Sequence, residues 1–357
     1  MAAERTAKTS AWALFDRIVA DAAPGGVHST PWVAGADGTV RYEPDFSTLV
    51  RLLGVPLHLK AKPRTGVPAL ALDVWLSYEL RRAGFDPDAA WPRPTQPRIL
   101  PMPISNLLKG LPRKDREALI LRLTRTSAIP GVTSSSASIL GKNYLKQVDV
   151  IITDWHSGPE LLISTKRMDS SFGKNAPNRI EESYGDAKNL RLRHPLAALG
   201  FVFGLRSDIL DKEPDTAAWL IDLLGKLGRE DDAYHATCLV MIEYADALAV
   251  DESGEDTIDP SDDAAVAAGL APEPTDEDDS QLVARSTVEE ALGVELVLAQ
   301  LPEVTIRLDQ VPDHLAPSRF LAMMVNRVLD ATPVNFHTEA RRRLREARAN
   351  PQLTAEG

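Results

Sequence analysis

Apolar residues recur three and four positions apart in several segments, the spacing that gathers them on one face of a helix. Residues 69–83 (ALALDVWLSYELRRA) show this spacing, and Gly84 directly after them is typical of a helix C-terminus. Six further helices are predicted at residues 11–23, 45–53, 113–125, 178–190, 317–329 and 339–348.

The centre of the chain changes from a helical to a strand pattern. VDVIIT (148–153) and LLISTK (161–166) are short and rich in branched apolar residues, and the turn sequence DWHSGPE lies between them. These segments predict a β-hairpin. An apolar run follows at residues 196–205, residues 237–244 are predicted to be a buried strand, and residues 294–308 are predicted to form one or two strands.

The net charge of −11 is concentrated in one segment. Residues 251–280 contain twelve acidic and no basic residues, so the rest of the chain carries a net charge of +1. Such a segment is predicted to be a disordered acidic linker. Between Ser105 and Arg206, sixteen Lys and Arg stand against nine Asp and Glu, which permits a nucleic-acid partner for this part of the chain.

Several function classes are disfavoured by composition. No apolar window is long enough to span a membrane and no secretion signal is recognisable, so a cytoplasmic protein is expected. The single cysteine, Cys238, is interpreted as a buried apolar residue rather than a disulfide or zinc ligand. No HExxH, GxSxG or complete phosphate-binding loop occurs.

The predicted hairpin brings two reactive groups together. If it turns near Ser157 and Gly158, Asp149 lies opposite Lys166 and Ile151 lies opposite Ser164, with all four side chains on one face. A carboxylate that holds a hard divalent cation, next to an ammonium that orients water or stabilises developing charge, is suited to phosphodiester hydrolysis. The alternative is a purely structural role, in which Asp149 and Lys166 form a cross-strand ion pair.

QVDVIIT together with LLISTK resembles the Asp followed by (Asp/Glu)-x-Lys hairpin of the PD-(D/E)xK nucleases, which include many type II restriction enzymes. The resemblance covers about the central third of the chain. It implies an α/β protein with a restriction-endonuclease-like mixed β-sheet core flanked by helices, to which this chain adds helical N- and C-terminal parts. It also implies Mg²⁺ at Asp149 and at position 164, with Lys166 positioning the attacking water.

Ser164 departs from the family pattern, because serine is a poor magnesium ligand. Three alternatives follow: a site with fewer carboxylates, an acid supplied from elsewhere, or an inactive domain. The candidate acids are Glu79, Asp169 and Glu160. Glu79 is preferred as the second metal ligand because WLSYELRRAGF resembles the family helix that carries such a glutamate; a solvent-facing acid on an amphipathic helix is the alternative.

The segment after the hairpin is rich in groups that bind phosphate or base edges. Glu181, Glu182 and Asp186 on its predicted helix could reach the metal site or pair with neighbouring cations. A solvated helix crossed by ion pairs is the alternative. The substrate-binding residues predicted here are Ser170, Ser171, Lys174, Asn175, Arg179, Lys188, Arg191 and Arg193.

These observations predict four regions: a helical N-terminal region (1–68), a nuclease core (69–250), the acidic linker (251–280) and a C-terminal region (281–357) for dimerisation or DNA binding. The predicted function is Mg²⁺-dependent endodeoxyribonuclease activity in restriction or phage defence. A homodimer is expected, with the helix at 317–329 as a candidate interface. The alternatives are a catalytically inactive nuclease-fold module that binds nucleic acid or a partner, and an RNA-cutting toxin. The basic run 341–348 either binds DNA or is an exposed helix end.

Overall fold

The computed structural model describes residues 2–35, 38–125, 137–229, 231, 233–249 and 288–349. The predicted acidic linker at 251–280 lies outside these residues. The helices are α1 (Ala2–Ala22), α2 (Phe46–His58), α3 (Val67–Ala83), α4 (Met102–Gly110), α5 (Arg113–Arg125), α6 (Phe172–Arg191), α7 (Ile209–Lys212), α8 (Pro214–Leu227), α9 (Val288–Leu298), α10 (Pro317–Ala331) and α11 (Thr338–Ala349).

The strands form one mixed sheet and two separate hairpins. They are β1 (Trp32–Ala34), β2 (Val40–Tyr42), β3 (Ala90–Trp91), β4 (Ala137–Leu140), β5 (Leu145–Val148), β6 (Val150–Asp154), β7 (Gly158–Met168), β8 (Ala198–Arg206), β9 (Ala236–Glu243) and β10 (Thr305–Ile306). The sheet has the order β10-β9-β8-β7-β6-β3. Its central strands β7, β8 and β9 are parallel, and its outer pairings are antiparallel. The expectation of an α/β protein with a mixed sheet flanked by helices is thereby confirmed.

Alternation along the central strands gives the sheet two different faces. On one face, Val150 and Ile163 join a core built with α1, α2, α3 and α10. On the other face, Ile151 and Leu162 join a second core built with α6 and α8. Because both faces are covered, β8 and β9 are apolar at nearly every position, as is usual for parallel strands inside α/β proteins.

The terminal parts of the chain pack against the first of these faces. Residues from the predicted N-terminal region (1–68) and from the predicted C-terminal region (281–357) belong to the same apolar core as α3 and the sheet. The apolar side of α10, including Phe320, Met324 and Val328, is fully buried there. The sheet of the same chain covers this side of α10, and the expectation that the helix at 317–329 joins two subunits stays a prediction.

Most predicted elements are present, and one predicted segment differs. Helix α3 ends at Ala83, and Gly84 adopts the left-handed conformation (φ +103°) that favours glycine at this position. Residues 294–308, predicted as strands, instead contain the end of α9 and only the two-residue strand β10. A short apolar run does not by itself distinguish a helix from a buried strand. None of the helices in the described ranges is long and apolar enough to cross a membrane.

Candidate functional site

A narrow cleft lies between β7 and α6, on the face of the sheet covered by α6. Its lining combines two lysines, two aspartates and hydroxyl groups with an aromatic wall. The lining residues are Lys146, Gln147, Asp149, Ser164, Lys166, Ser183, Asp186, Phe201 and Tyr234. Three of the four residues proposed from the sequence as catalytic, Asp149, Ser164 and Lys166, therefore line one cleft.

The register of the β6–β7 hairpin differs from the predicted one by two residues. Val150 pairs with Ile163 and Ile151 pairs with Leu162, so the expected pairings of Ile151 with Ser164 and of Asp149 with Lys166 are wrong. A register irregularity between Ile152 and Thr153 accounts for part of the shift. A shift of two residues preserves the alternation of faces, and Ser164 and Lys166 still point to the same side.

Asp149 lies immediately before β6, at the junction with β5. Its Oδ2 accepts a hydrogen bond of 2.7 Å from the backbone amide of Thr165. This contact fixes the carboxylate beside the end of β7, between the positions of Ser164 and Lys166. The threonine side chain points to the other face of the sheet, where its hydroxyl donates a 2.5 Å hydrogen bond to Asp73 of α3.

Two lysines and two acids face each other across the cleft. Lys166 Nζ lies 3.5 Å from Glu182 Oε1, and Lys146 Nζ lies 3.5 Å from the same oxygen. Lys146 Nζ also lies 2.7 Å from Asp186 Oδ2. Glu182 and Asp186 are four residues apart on α6, so both reach the cleft from one side of that helix. Glu182 and Asp186 therefore lie beside the cleft, as predicted for acids of this helix.

Tyrosines close the cleft on two sides. The hydroxyl of Tyr144 donates to Asp186 Oδ1 at 3.1 Å, and burial together with the Asp186 charge raises the pKa of Tyr144 to about 12. Tyr234 donates to the backbone oxygen of Ser183 at 2.9 Å, and burial raises the pKa of Tyr234 well above its ordinary value. Both hydroxyls therefore stay protonated near neutral pH and act as hydrogen-bond donors.

The oxygen donors of the cleft are of the type that Mg²⁺ prefers, but they do not form a cage. Asp149, Glu182 and Asp186 supply carboxylates, and Mg²⁺ commonly needs only one or two of these because it retains waters and binds substrate phosphate. Within the described residues, no group of three or more carboxylate, imidazole or thiol side chains is arranged to hold a metal ion. The donor set thus fits a Mg²⁺ ion shared with a substrate, not a closed protein site.

Glu79 is not brought to this cleft. It is fully buried on α3. Its Oε1 accepts a hydrogen bond of 2.7 Å from the Asp45 amide, and its Oε2 accepts one of 3.0 Å from the Tyr42 hydroxyl. Arg82 donates to both oxygens, and burial raises the pKa of Glu79 despite this cation. The expectation that Glu79 points at the metal site is corrected: its carboxylate joins α3 to the β2–α2 segment.

The other candidate acids also have structural partners away from the cleft. Glu160 is buried, accepts a 2.5 Å hydrogen bond from Ser157 and lies 2.7 Å from the Nε2 atom of His337. Asp169 pairs with Arg167 at 3.0 Å. Of the acids weighed as replacements for the family carboxylate, those on α6 are the ones beside Lys166.

The predicted substrate-binding residues spread along α6 and the turn before it. Lys174, Lys188 and Arg193 are exposed, and Ser171 starts the helix in a left-handed conformation (φ 52°). Arg179 lies 3.6 Å from Glu182 and is therefore close to the cleft, whereas Arg191 lies against His235. Ser170 lies in the preceding turn and Asn175 in the first turn of α6, both partly buried.

The basic run 341–348 has structural partners in the same chain. Arg341 donates to carbonyl oxygens at the end of α10, including Leu329 at 2.6 Å. Arg342 pairs with Glu339 and Glu346, and Arg343 donates to the backbone oxygen of Arg82 at 2.6 Å. Arg341 and Arg343 therefore hold α11 against the fold, whereas Arg342 pairs within α11. Arg345 and Arg348 are exposed, and DNA binding by this run stays a prediction.

Lys146 is a cleft residue that the sequence reasoning missed. It precedes Asp149 by three residues in β5, and its side chain is nearly buried with Asp186 as a close partner. A lysine in a short strand is ordinarily exposed. A signal was available in LKQVDV, where a basic residue stands three positions before the candidate catalytic aspartate.

No family model, curated protein or solved structure matches this chain.

Proposed function

We propose that this protein is a Mg²⁺-dependent endodeoxyribonuclease with a restriction-endonuclease-like core that acts in restriction or phage defence. The observation that carries the proposal is the position of Asp149 and Lys166 in one cleft, contributed by neighbouring segments of the sheet, with Glu182 facing them from α6.

The arrangement of the central elements supports this proposal. The antiparallel pair of β6 and β7 contains the lysine, and the aspartate directly precedes β6. Helix α6 then crosses to β8, which lies parallel to β7. A mixed sheet flanked by helices agrees with the core that the motif resemblance implies, and Asp186 of α6 lines the same cleft as Ser164, where the motif acid is missing.

Each side chain of the cleft has a chemical role in this proposal. Asp149 and Glu182 would hold Mg²⁺, and bound Mg²⁺ supplies Lewis-acid polarisation of the phosphodiester and activation of water. Lys166, which is 93% buried, places a positive charge where negative charge develops on the phosphate. Asp149 is preorganised for this task, because the Thr165 amide fixes one of its oxygens.

The surface around α6 provides a path for DNA. Exposed Lys174, Lys188 and Arg193 carry charge that can contact the phosphate backbone, and Arg179 lies at the edge of the cleft. Cutting both strands of a duplex needs two such clefts, so the active form is proposed to be a homodimer. Because the apolar side of α10 is buried, an interface at this helix would use the residues outside that side.

A catalytically inactive nucleic-acid-binding module is the second candidate. It is favoured by Ser164, by the ion pairs that occupy both lysines, and by the lack of a metal-binding group of three or more side chains among the described residues. An RNA-cutting toxin would use the same cleft with a different substrate.

Cleavage of supercoiled plasmid in Mg²⁺ separates these functions. The wild type is expected to cut DNA and Lys166→Ala to lose about 100-fold or more in rate, because one group that stabilises the transition state is removed. Lys226→Ala is the matched control, since Lys226 is exposed on α8 and, among the described residues, pairs only with its neighbour Asp222. DNA binding without cutting by the wild type would favour the inactive module, and a preference for RNA would favour the toxin.

A further inference from the structure

A second cleft lies between α3, α1 and the segment 92–98. It contains three arginines and a single acid. The lining residues are Trp12, Asp16, Val19, Val74, Ser77, Arg81, Pro92, Arg93, Pro94 and Arg98. None of them lines the cleft of Asp149 and Lys166.

Arg81 is a buried cation that is opposed by the nearby charge of Asp16. The residue is only 3% exposed. One guanidinium nitrogen donates 3.2 Å to the backbone oxygen of Pro92, whereas the buried Nε has no hydrogen-bond partner. In the part of the chain that the structure describes, Arg81 makes no ion pair, although arginine is seldom buried without one.

Arg98 lies beside Arg81 and faces the same space. Its guanidinium group stacks 4.0 Å above the ring of Trp12 and donates 2.6 Å to Asp16. Its Nε is also buried without a hydrogen-bond partner. The third arginine, Arg93, is held by Asp88 at 2.7 Å and contributes little free charge.

The charge balance of this cleft is positive. Arg81 and Arg98 together carry two charges, and Asp16 is the one lining acid that opposes them. Burial, followed by the charge of Arg98, lowers the pKa of Arg81 to about 9. Burying an uncompensated charge is costly, so an anion that enters this cleft would be stabilised by both guanidinium groups.

We propose that this cleft binds a phosphate group, either as free phosphate or as a phosphomonoester, through the guanidinium groups of Arg81 and Arg98 that line it. Guanidinium groups match the geometry of phosphate oxygens and can bind two of them at once. The walls formed by Trp12, Pro92 and Pro94 limit the ligand to a compact oxyanion. The site is separate from the proposed nuclease cleft and does not depend on nuclease activity.

Isothermal titration calorimetry of the full chain tests this site. Inorganic phosphate, a 5′-mononucleotide and the matching nucleoside are titrated at constant ionic strength in chloride. Phosphate and the mononucleotide are expected to bind, and the nucleoside is not. Tighter binding of the mononucleotide identifies a phosphomonoester as the ligand, and equal or weaker binding identifies free phosphate.

Variants assign the binding to the arginines. Arg81→Gln and Arg98→Gln are each expected to weaken phosphate binding by about tenfold or more, because each removes a charge-assisted hydrogen bond. Arg113→Gln is the control, since Arg113 is exposed and its one ion pair within the described ranges is with Glu117. Arg81→Gln should fold, because it removes an unpaired buried charge, and circular dichroism checks this.

The proposal is overturned if the wild type binds no phosphate, or if folded Arg81→Gln and Arg98→Gln bind it as tightly as the wild type. Arg98→Gln keeps the test decisive if Arg81→Gln proves unstable. Plasmid cleavage by the two variants should remain at the wild-type rate, which separates this inference from the proposed nuclease function.

Discussion

The hydroxyl of Thr165 donates a 2.5 Å hydrogen bond to the carboxylate of Asp73, across the interface between β7 and α3. The next residue, Lys166, points to the opposite face of the sheet and into the cleft. The backbone amide of Thr165 meanwhile holds Asp149. One threonine therefore connects the helical layer on one side of the sheet to the candidate catalytic residues on the other.

Thr165→Val tests this connection. The substitution keeps the shape and the backbone amide but removes the hydroxyl donor, so the buried Asp73 carboxylate loses one partner. Denaturant unfolding is expected to show a loss of about 1–3 kcal/mol in the free energy of unfolding. Thr216→Val is the control, because its hydroxyl contacts the more exposed Glu213, and a change within about 0.5 kcal/mol is expected there. Equal effects of the two substitutions would argue against a special role for Thr165.

Glu182→Gln tests the acid of α6 as the replacement for the missing motif carboxylate. The substitution preserves size but removes the charge that faces Lys166 and Lys146. Mg²⁺-dependent cleavage is expected to fall by about 10- to 100-fold, a loss that higher Mg²⁺ partly restores. Glu181→Gln is the matched control, because Glu181 is the exposed neighbour on the same helix. An unchanged rate and Mg²⁺ dependence in Glu182→Gln would exclude this acid from the site.

Glu79→Gln distinguishes a structural glutamate from a metal ligand. Both oxygens of Glu79 are bonded inside the fold, and its partner Arg82 is almost buried. Removing one partner of such a pair is expected to cost about 3–5 kcal/mol of stability. At a temperature where the variant remains folded, the Mg²⁺ dependence of cleavage should equal that of the wild type. A changed Mg²⁺ dependence without loss of stability would restore Glu79 as a ligand.

The lowered pKa values of two histidines predict how the free energy of unfolding depends on pH. Burial, followed by nearby arginines, lowers the pKa of both His28 and His235 to about 4. An unfolded histidine titrates near about 6.5, so between these values the unfolded chain binds more protons than the folded one. Their contribution to stability is therefore present above pH 6.5 and is lost as the pH falls towards 4.

Urea unfolding of the wild type and of His235→Gln at pH 7, 5.5 and 4 measures this contribution. The loss of stability on acidification is expected to be smaller in His235→Gln. His156→Gln is the control, because His156 is exposed at the tip of the β6–β7 hairpin. An equal loss in all three proteins would contradict the assigned role of His235.

The central elements could be predicted from the sequence because their patterns are strong and local. Gly84 marks the end of α3, and the branched apolar residues of β6 and β7 define the hairpin. The pairing register could not be predicted from the sequence, because it depends in part on an irregularity between Ile152 and Thr153 that the residue types do not reveal. The predicted assignment of hairpin residues to the two faces is still correct, because the register shift is an even number of residues.

The candidate site was predictable only where its residues lie on the hairpin. Asp149 and Lys166 line one cleft as expected. The direction in which the Glu79 side chain points could not be predicted from its position on α3. A helix that is buried nearly all round, as α3 is, has no clear polar side to orient an acid. Lys146 enters the cleft through β5, which the sequence pattern did not identify as a strand.

An anomalous difference map from crystals soaked in Mn²⁺, which prefers the same oxygen ligands as Mg²⁺, tests the central claim most directly. The account predicts a peak beside Lys166, with oxygen contacts from Asp149 and Glu182, and its loss in Asp149→Asn. A peak at another site, or no peak in wild-type crystals that diffract well after soaking, would contradict the proposed nuclease site.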